Sequence, residues 1–359
     1  MPSTARLHDY LLIDDTQQVR LRETEARYRR LYEDPEHCTP MVMVNTPVDG
    51  VPEWEERLAD PLLMLCAELD AIRPHLAIGD DRLPTVRVQF GTAQVATAFG
   101  CELAIPTNSL PAAATHALTD LTQLDELPLP ALTAGWYGKL QEWTALWQAH
   151  LPAGVQIQHP DIQSPFNNAH LIRGNDILLD FYDDPERVGC LLDLVTDYMI
   201  ALVPWLKGMI STDSAWFYDW GALWKGGARI SNCSMHMISP ALYREHVLPR
   251  DIRLLEAIGG GRIHYCGTSG GVIPDFFTIP GVSALDVHPQ FHDLWALAER
   301  TPAHIALLYD ISDDPAAWQR LLAGDWPRKR NLVLQCTASS VEEGRARLDE
   351  LKRSMPYQE

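Results

Sequence analysis

The chain is short of positive charge: 29 Lys and Arg stand against 48 Asp and Glu in 359 residues, a formal net charge of −19. A grip on nucleic acid or on an anionic membrane needs basic patches, so this charge argues against both kinds of partner. To the eye no apolar run approaches the roughly 18 to 20 residues of a membrane span, and Met1-Pro2-Ser3-Thr4-Ala5-Arg6-Leu7 has no signal-peptide core. Cysteine is scarce: seven residues, an odd count with no framework spacing, speak against a disulfide scaffold and for a reducing, cytoplasmic setting. The sequence offers no C-x-x-C knuckle for a closed structural zinc site. It also has no phosphate loop, since Gly259-Gly260-Gly261 lacks the spacing and a preceding strand, and reads as a helix stop.

What is present is one soft ligand set. His264-Tyr265-Cys266-Gly267 closes a strand-like segment, and Cys336 follows a second one at Asn331-Leu332-Val333-Leu334-Gln335. Residues two apart on a strand share a face, so His264 and Cys266 can bite one ion. A parallel barrel would bring Cys336 to them from another strand end. One imidazole and two thiols with a fourth position open is the pattern of a catalytic zinc. Cys38, Cys66, Cys101, Cys190 and Cys233 are scattered and read as core or incidental thiols.

The patterning predicts an amphipathic helix over about 8–33, a short strand at 41–45, a helix over 53–72 and a strand at 85–90. A strand at 155–158 and a long helix opened by Asp184-Pro185 follow, then a strand ending in Asp219 and a helix from Pro240. Four strand–helix units complete the chain, with strands near Arg262, at 282–287, at 304–309 and at Asn331. This alternation predicts an α/β fold, a (β/α)8 TIM barrel over 76–359 with an N-terminal helical extension over 1–75, as one domain.

From about Gln163 onward the chain resembles the uroporphyrinogen decarboxylase superfamily. The stretches that carry this are Ser164-Pro165-Phe166 with Ala169 and Arg173-Gly174, Asp183-Asp184-Pro185-Glu186-Arg187-Val188, Ile238-Ser239-Pro240 with Tyr243, and Ile263-His264-Tyr265-Cys266-Gly267. The first 150 residues match poorly. The decarboxylases of that superfamily carry an amino-terminal R-Q-A-G-R motif that grips porphyrinogen carboxylates, and this chain has none. The methyltransferase branch, which includes methylcobamide:coenzyme M methyltransferases, carries H-x-C and a distant Cys as zinc ligands, positions that His264, Cys266 and Cys336 match in type and order.

The resemblance implies a zinc-dependent enzyme that moves a methyl group between a corrinoid, such as methylcobalamin, and a thiol or other heteroatom. No D-x-H-x-x-G corrinoid-carrying motif is complete, because Gln290-Phe291 follows Asp286-Val287-His288. A separate corrinoid protein is therefore the expected partner. Asp219, at an acidic strand end, is the expected general base, substrate acceptor or fourth zinc ligand, or else a loop-capping acid. Asn167, Asn168, Trp220 and Tyr309 are expected to bind substrate, with His288 and Asp310 as further strand-end candidates. The rival readings are a metal-free decarboxylase of the same superfamily and a non-catalytic barrel subunit.

Overall fold

The computed structural model describes residues 4–357. Its centre is a six-stranded parallel sheet built from β1 (Met41–Asn45), β4 (Ala228–Ser231), β5 (Gly261–Tyr265), β6 (Val282–Val287), β7 (Ala306–Asp310) and β8 (Leu332–Thr337). The strand order is β1-β8-β7-β6-β5-β4. Between β1 and β4 in sequence, β2 (Thr85–Val86) and β3 (Gln156–Ile157) form a parallel pair. The pair is not laddered to the sheet, but the segments before β2 and after β3 touch its two edges. The Asp81 N–H donates to Val42 O of β1 at 2.9 Å, and Gln163 forms an isolated parallel bridge to Ser231 of β4.

The expected extension over 1–75 is corrected by β1, which pairs with β8 in register from Met41–Val333 to Asn45–Thr337. The sheet therefore begins inside that segment. Met41 to Val44 are all buried, the continuous apolar reading of a strand covered on both faces. A second correction concerns Asp219. Its strand, Trp216–Asp219, pairs antiparallel with Ala222–Lys225 in a hairpin outside the main sheet, and the parallel strand of this region is Ala228–Ser231.

Helix starts are written locally. Asp60-Pro61, Ser164-Pro165, Asp184-Pro185, Ser239-Pro240 and Asp314-Pro315 each place a side-chain acceptor on free N–H groups of the first turn and a proline where no N–H is needed. The same device splits the helix expected over 53–72 into Trp54–Ala59 and Pro61–Ile78. Helix Pro185–Ile210 is by length and composition long enough and apolar enough to cross a membrane, unlike the reading from sequence. Here its apolar stripe, Val188, Leu191, Leu192, Val195, Met199, Leu202 and Leu206, is buried, and the helix packs against Pro165–Arg173 and Leu248–Ala257.

Alternation sorts the strand residues into two faces. Arg229 pairs with Arg262 and Ser231 with His264 between β4 and β5, and His264 pairs with Asp286 of β6. Laddered partners project to the same side. One face of the sheet thus carries two buried arginines, an acid and the histidine. Asp219, 1% exposed, joins them from the hairpin. It receives Arg87 and Arg262 in close contact and Arg229 Nε at 3.1 Å. Arg229 also pairs with Asp161 at 3.1 Å, and Arg262 with Asp286 at 2.9 Å. Burial alone would raise the Asp219 pKa, but Arg229, Arg87 and Arg262 outweigh it and hold the carboxyl at about 2.

Removing one charge from such a network leaves the others buried and uncompensated. Asp219→Asn should lower the unfolding free energy by about 3–5 kcal/mol at neutral pH. Because the folded carboxyl titrates below its ordinary value, its stabilisation is present above about pH 4 and is lost as pH falls toward 2, on the order of 2 kcal/mol. Urea titrations from neutral pH downward check this. The variant should start lower and have the shallower acid slope, and equal slopes in the two proteins would refute it.

Candidate metal centre

Three donor atoms converge where β4 and β5 end. Ligand atoms of Cys233, His264 and Cys266 all lie within 4.8 Å of one another, each residue half-buried. His264 is the fourth residue of β5, and Cys266 follows the strand directly. Cys233 comes from the turn after β4, two residues past Ser231, which is laddered to His264. The alternation of β5 thus sets two donors, and the neighbouring strand delivers the third.

Cys336 is not in this group, and parity explains why. Asp286 pairs with Leu308, and Leu308 with Val333, so the site face of β8 shows Val333, Gln335 and Thr337. Cys336 points to the other side with its partner Val44. That side meets the last helix, Val341–Ser354: a Cβ placed on Gly344 would lie 3.3 Å from Val44 Cγ1. Burial pushes the Cys336 thiol up to about 12, and its charged surroundings include Arg347 and Glu343 of that helix. The expected donor trio therefore loses Cys336 and gains Cys233. Cys233 carried no motif of its own, and the signal for it is only its place just after a strand adjacent to that of His264.

The histidine is oriented from behind. Its Nδ1–H donates to Asp286 Oδ2 in close contact, and Asp286 is held in turn by Arg262. This leaves Nε2 as the nitrogen free to ligate, the carboxylate–histidine arrangement that fixes tautomer and ring direction at zinc sites. Burial would lower the His264 pKa, but the Asp286 charge and hydrogen bond lift it to about 9. The Cys266 thiol is shifted well down, mainly by a hydrogen bond from Cys233 and then, against burial, by His264, while Cys233 is shifted well up by the same bond. A soft cation bound there would take both sulfurs as thiolates and displace the thiol protons to solvent. Two sulfurs and one nitrogen from three separate positions suit a tetrahedral zinc with one place left for a non-protein ligand.

Beside the donors lies a cleft of about 290 Å3 whose lining includes Asp161, Gln163, Asn167, Trp220, Arg229, Ser231, Cys233, Ser234 and His264. Asn167 accepts from the Ser234 N–H at 2.8 Å and donates to Gln163 Oε1 at 2.8 Å, so it braces the segment after Cys233. Trp220 is one of two non-glycine residues with positive φ among those described, at 52°, and Gly221 follows at 72°. This is a two-residue hairpin turn with a bulky residue where Asn or Gly is favoured. The strain places the indole edge-on to His264, ring centres 5.5 Å apart, and over the Arg229 and Arg262 guanidiniums at 5.0 and 4.8 Å.

Other expected site residues stand apart from the cleft. Asn168 is wholly buried and donates to Gln163 O at 2.9 Å. Tyr309 has the parity of Cys336, being paired with Leu334, and its hydroxyl donates to His292 O at 2.8 Å on the helix side. Asp219 has its oxygens committed to arginines and a pKa far too low for a base at neutral pH, so its part is to hold Arg229 and Arg262 in place. His288 caps its own turn by accepting from the Gln290 N–H, and Asp310 accepts from the Ser312 N–H. A larger open cleft of about 770 Å3, lined by Trp295, Trp326 and Asn331 among others, lies where β8 begins, and among the described residues no such donor group lines it.

No family model matches the chain, and no curated relative does. Among solved structures it is similar to a methyltransferase from Methanosarcina mazei, with a TM-score of 0.67 and 17% identity over 92% of this chain and 98% of that one. At that identity the likeness establishes a shared fold across nearly the whole of both chains.

If the three convergent donors define the centre, substitution separates them from the fourth thiol. Cys233→Ser, His264→Ala and Cys266→Ser should each lower bound zinc well below the wild-type stoichiometry after dialysis. Cys336→Ser should leave it unchanged. Elemental analysis of the four proteins reads this directly, and the opposite ranking of Cys233 and Cys336 would overturn the assignment.

Proposed function

We propose that this protein is a zinc-dependent methyltransferase on a (β/α)8 barrel of the uroporphyrinogen decarboxylase superfamily, moving a methyl group between a corrinoid and a thiol or other heteroatom substrate. The observation that carries the reading is the convergence of Cys233, His264 and Cys266, with His264 oriented by Asp286, at the wall of a cleft. Six parallel strands in one sheet, with a further parallel pair as a separate sheet, are compatible with the barrel, and the fold shared with a methyltransferase agrees with the chemistry.

Zinc held there would supply a charge that keeps a substrate thiol ionised near neutral pH, where a free thiol of pKa about 8.5 is mostly protonated. The remaining work falls to the chain. Asp286 fixes the direction of the His264 ring, and Asn167 braces the turn that carries Cys233 through Ser234. Trp220 covers the arginines and presents an aromatic wall next to His264, which narrows the approach of substrate. The cleft volume suits a small substrate, with the corrinoid meeting it from outside.

The rival decarboxylase reading needs cations free to take substrate carboxylates. Here Arg87, Arg229 and Arg262 are already matched by Asp161, Asp219 and Asp286. A separate corrinoid protein as methyl carrier is supported by three exposed apolar side chains that lie between the end of a parallel strand, β1, β4 or β6, and the next α-helix: Val51, Met237 and Phe291. Seven free cysteines accord with a cytoplasmic setting.

Protein purified without chelator should contain about one zinc per chain. With methylcobalamin and a panel of small thiols it should abolish the methyl–cobalt absorbance, and Cys266→Ser should slow that loss at least about 100-fold. A wild-type preparation loaded with zinc that leaves the spectrum untouched with every thiol and every methylated heteroatom compound would sink the proposal.

A further inference from the structure

Asn232 stands between Ser231, the last residue of β4, and Cys233. Its backbone N–H donates to His264 O at 2.8 Å, which carries the β4–β5 ladder one residue beyond the strand and sets where Cys233 begins. The side chain is wholly buried, and its Nδ2 donates to Asp251 Oδ2 at 2.9 Å. The Tyr243 hydroxyl donates to the same oxygen at 3.1 Å. Two atoms of this trio have no partner although both are buried: Asn232 Oδ1 and Asp251 Oδ1. Each is an acceptor if Asp251 is ionised, and a buried carboxylate oxygen left unmatched is costly. Among the described residues no ion pair reaches Asp251.

A single proton would resolve both deficits: carried on Asp251 Oδ1 and donated to Asn232 Oδ1, it would complete, with the Asn232 Nδ2 bond to Asp251 Oδ2, a two-bonded ring between a carboxylic acid and an amide. We propose that Asp251 is a positioning residue that stays a neutral carboxylic acid, pairs through both oxygens with the Asn232 amide, and so fixes Cys233 against His264 and Cys266.

Helix geometry supports a dedicated arrangement. In a regular helix residues eight apart sit about 80° apart around the axis, so Tyr243 and Asp251 would not share a line. The turn Tyr243–Val247 is π-helical, and its extra residue makes eight positions count as about seven, close to two full turns. The hydroxyl thereby reaches the carboxyl. Among the described residues Tyr243 is the titratable group hydrogen-bonded to Asp251, and it stays protonated because burial drives its pKa well up. Burial likewise raises the Asp251 pKa to about 7, in the direction the pairing needs.

The inference rests on the zinc reading above for one readout and is independent of it for the other. Asp251→Asn can rebuild the ring as an amide–amide pair, whereas Asp251→Leu fills the space without hydrogen bonds. Zinc dissociation constants measured by chelator competition should stay within about threefold of wild type for Asp251→Asn and rise about 10- to 100-fold for Asp251→Leu. A leucine variant that melts earlier but binds zinc as wild type does would show a merely structural role and overturn the proposal. The second readout needs only folded wild type and Asp251→Asn. Their infrared difference spectrum near pH 6 should show the carbonyl band of one protonated carboxyl, and its absence would also overturn the proposal. If wild type takes up no zinc, the functional reading fails while the infrared band still decides this one.

Discussion

Three guanidinium groups and three carboxylates meet over one face of the sheet, and the architecture of the site depends on their mutual satisfaction. Arg87, Arg229 and Arg262 converge on Asp219, Arg229 reaches on to Asp161, and Arg262 to Asp286. Each ion alone would cost several kcal/mol to remove from water, so the set is stable only as a whole. That requirement ties elements far apart in the chain to one geometry: the segment after β2, the Trp216–Lys225 hairpin, β4, β5 and β6. A network of this kind buys rigidity where a looser apolar packing would let strand ends drift.

The donor group inherits that rigidity. Asp286 is both the end of the ion network and the partner of His264, so the arginine cluster is in mechanical contact with the imidazole. Trp220 closes the other side, its backbone held at positive φ so that its ring covers two of the arginines and faces the histidine. Strain at such a point persists only when its surroundings over-determine it. The charge-neutral network, the aromatic cover and the thiol pair together make a site suited to a soft cation and a small substrate rather than to a polyanion.

Much of the scaffold could be read from the chain. Helix starts announced themselves through Asp-Pro and Ser-Pro pairs, and the last four strands through short apolar runs between helices. His264 and Cys266 were legible because alternation along one strand is a local property. One misreading has a local cause. Strand 228–231 was missed because Ala228-Arg229-Ile230-Ser231 carries an arginine that belongs to a buried ion network, and such a residue masks the apolar pattern. The hairpin before it took its place because Trp216-Phe217-Tyr218-Asp219 looks more strand-like in isolation.

The sequence by itself determined the parallel α/β character, the starts of the helices, and a strand end bearing an imidazole and a thiol two residues apart, because each follows from periodicity or from contacts a few residues long. Only the tertiary structure decided which third thiol joins them and what the buried charges are for. Cys233 and Cys336 both lie at or just past strand ends, and nothing local separates them. The ladder register does: a shift of one residue turns a side chain from the site face to the helix face. That register is set by pairing between strands dozens of residues apart, which no single stretch of sequence contains.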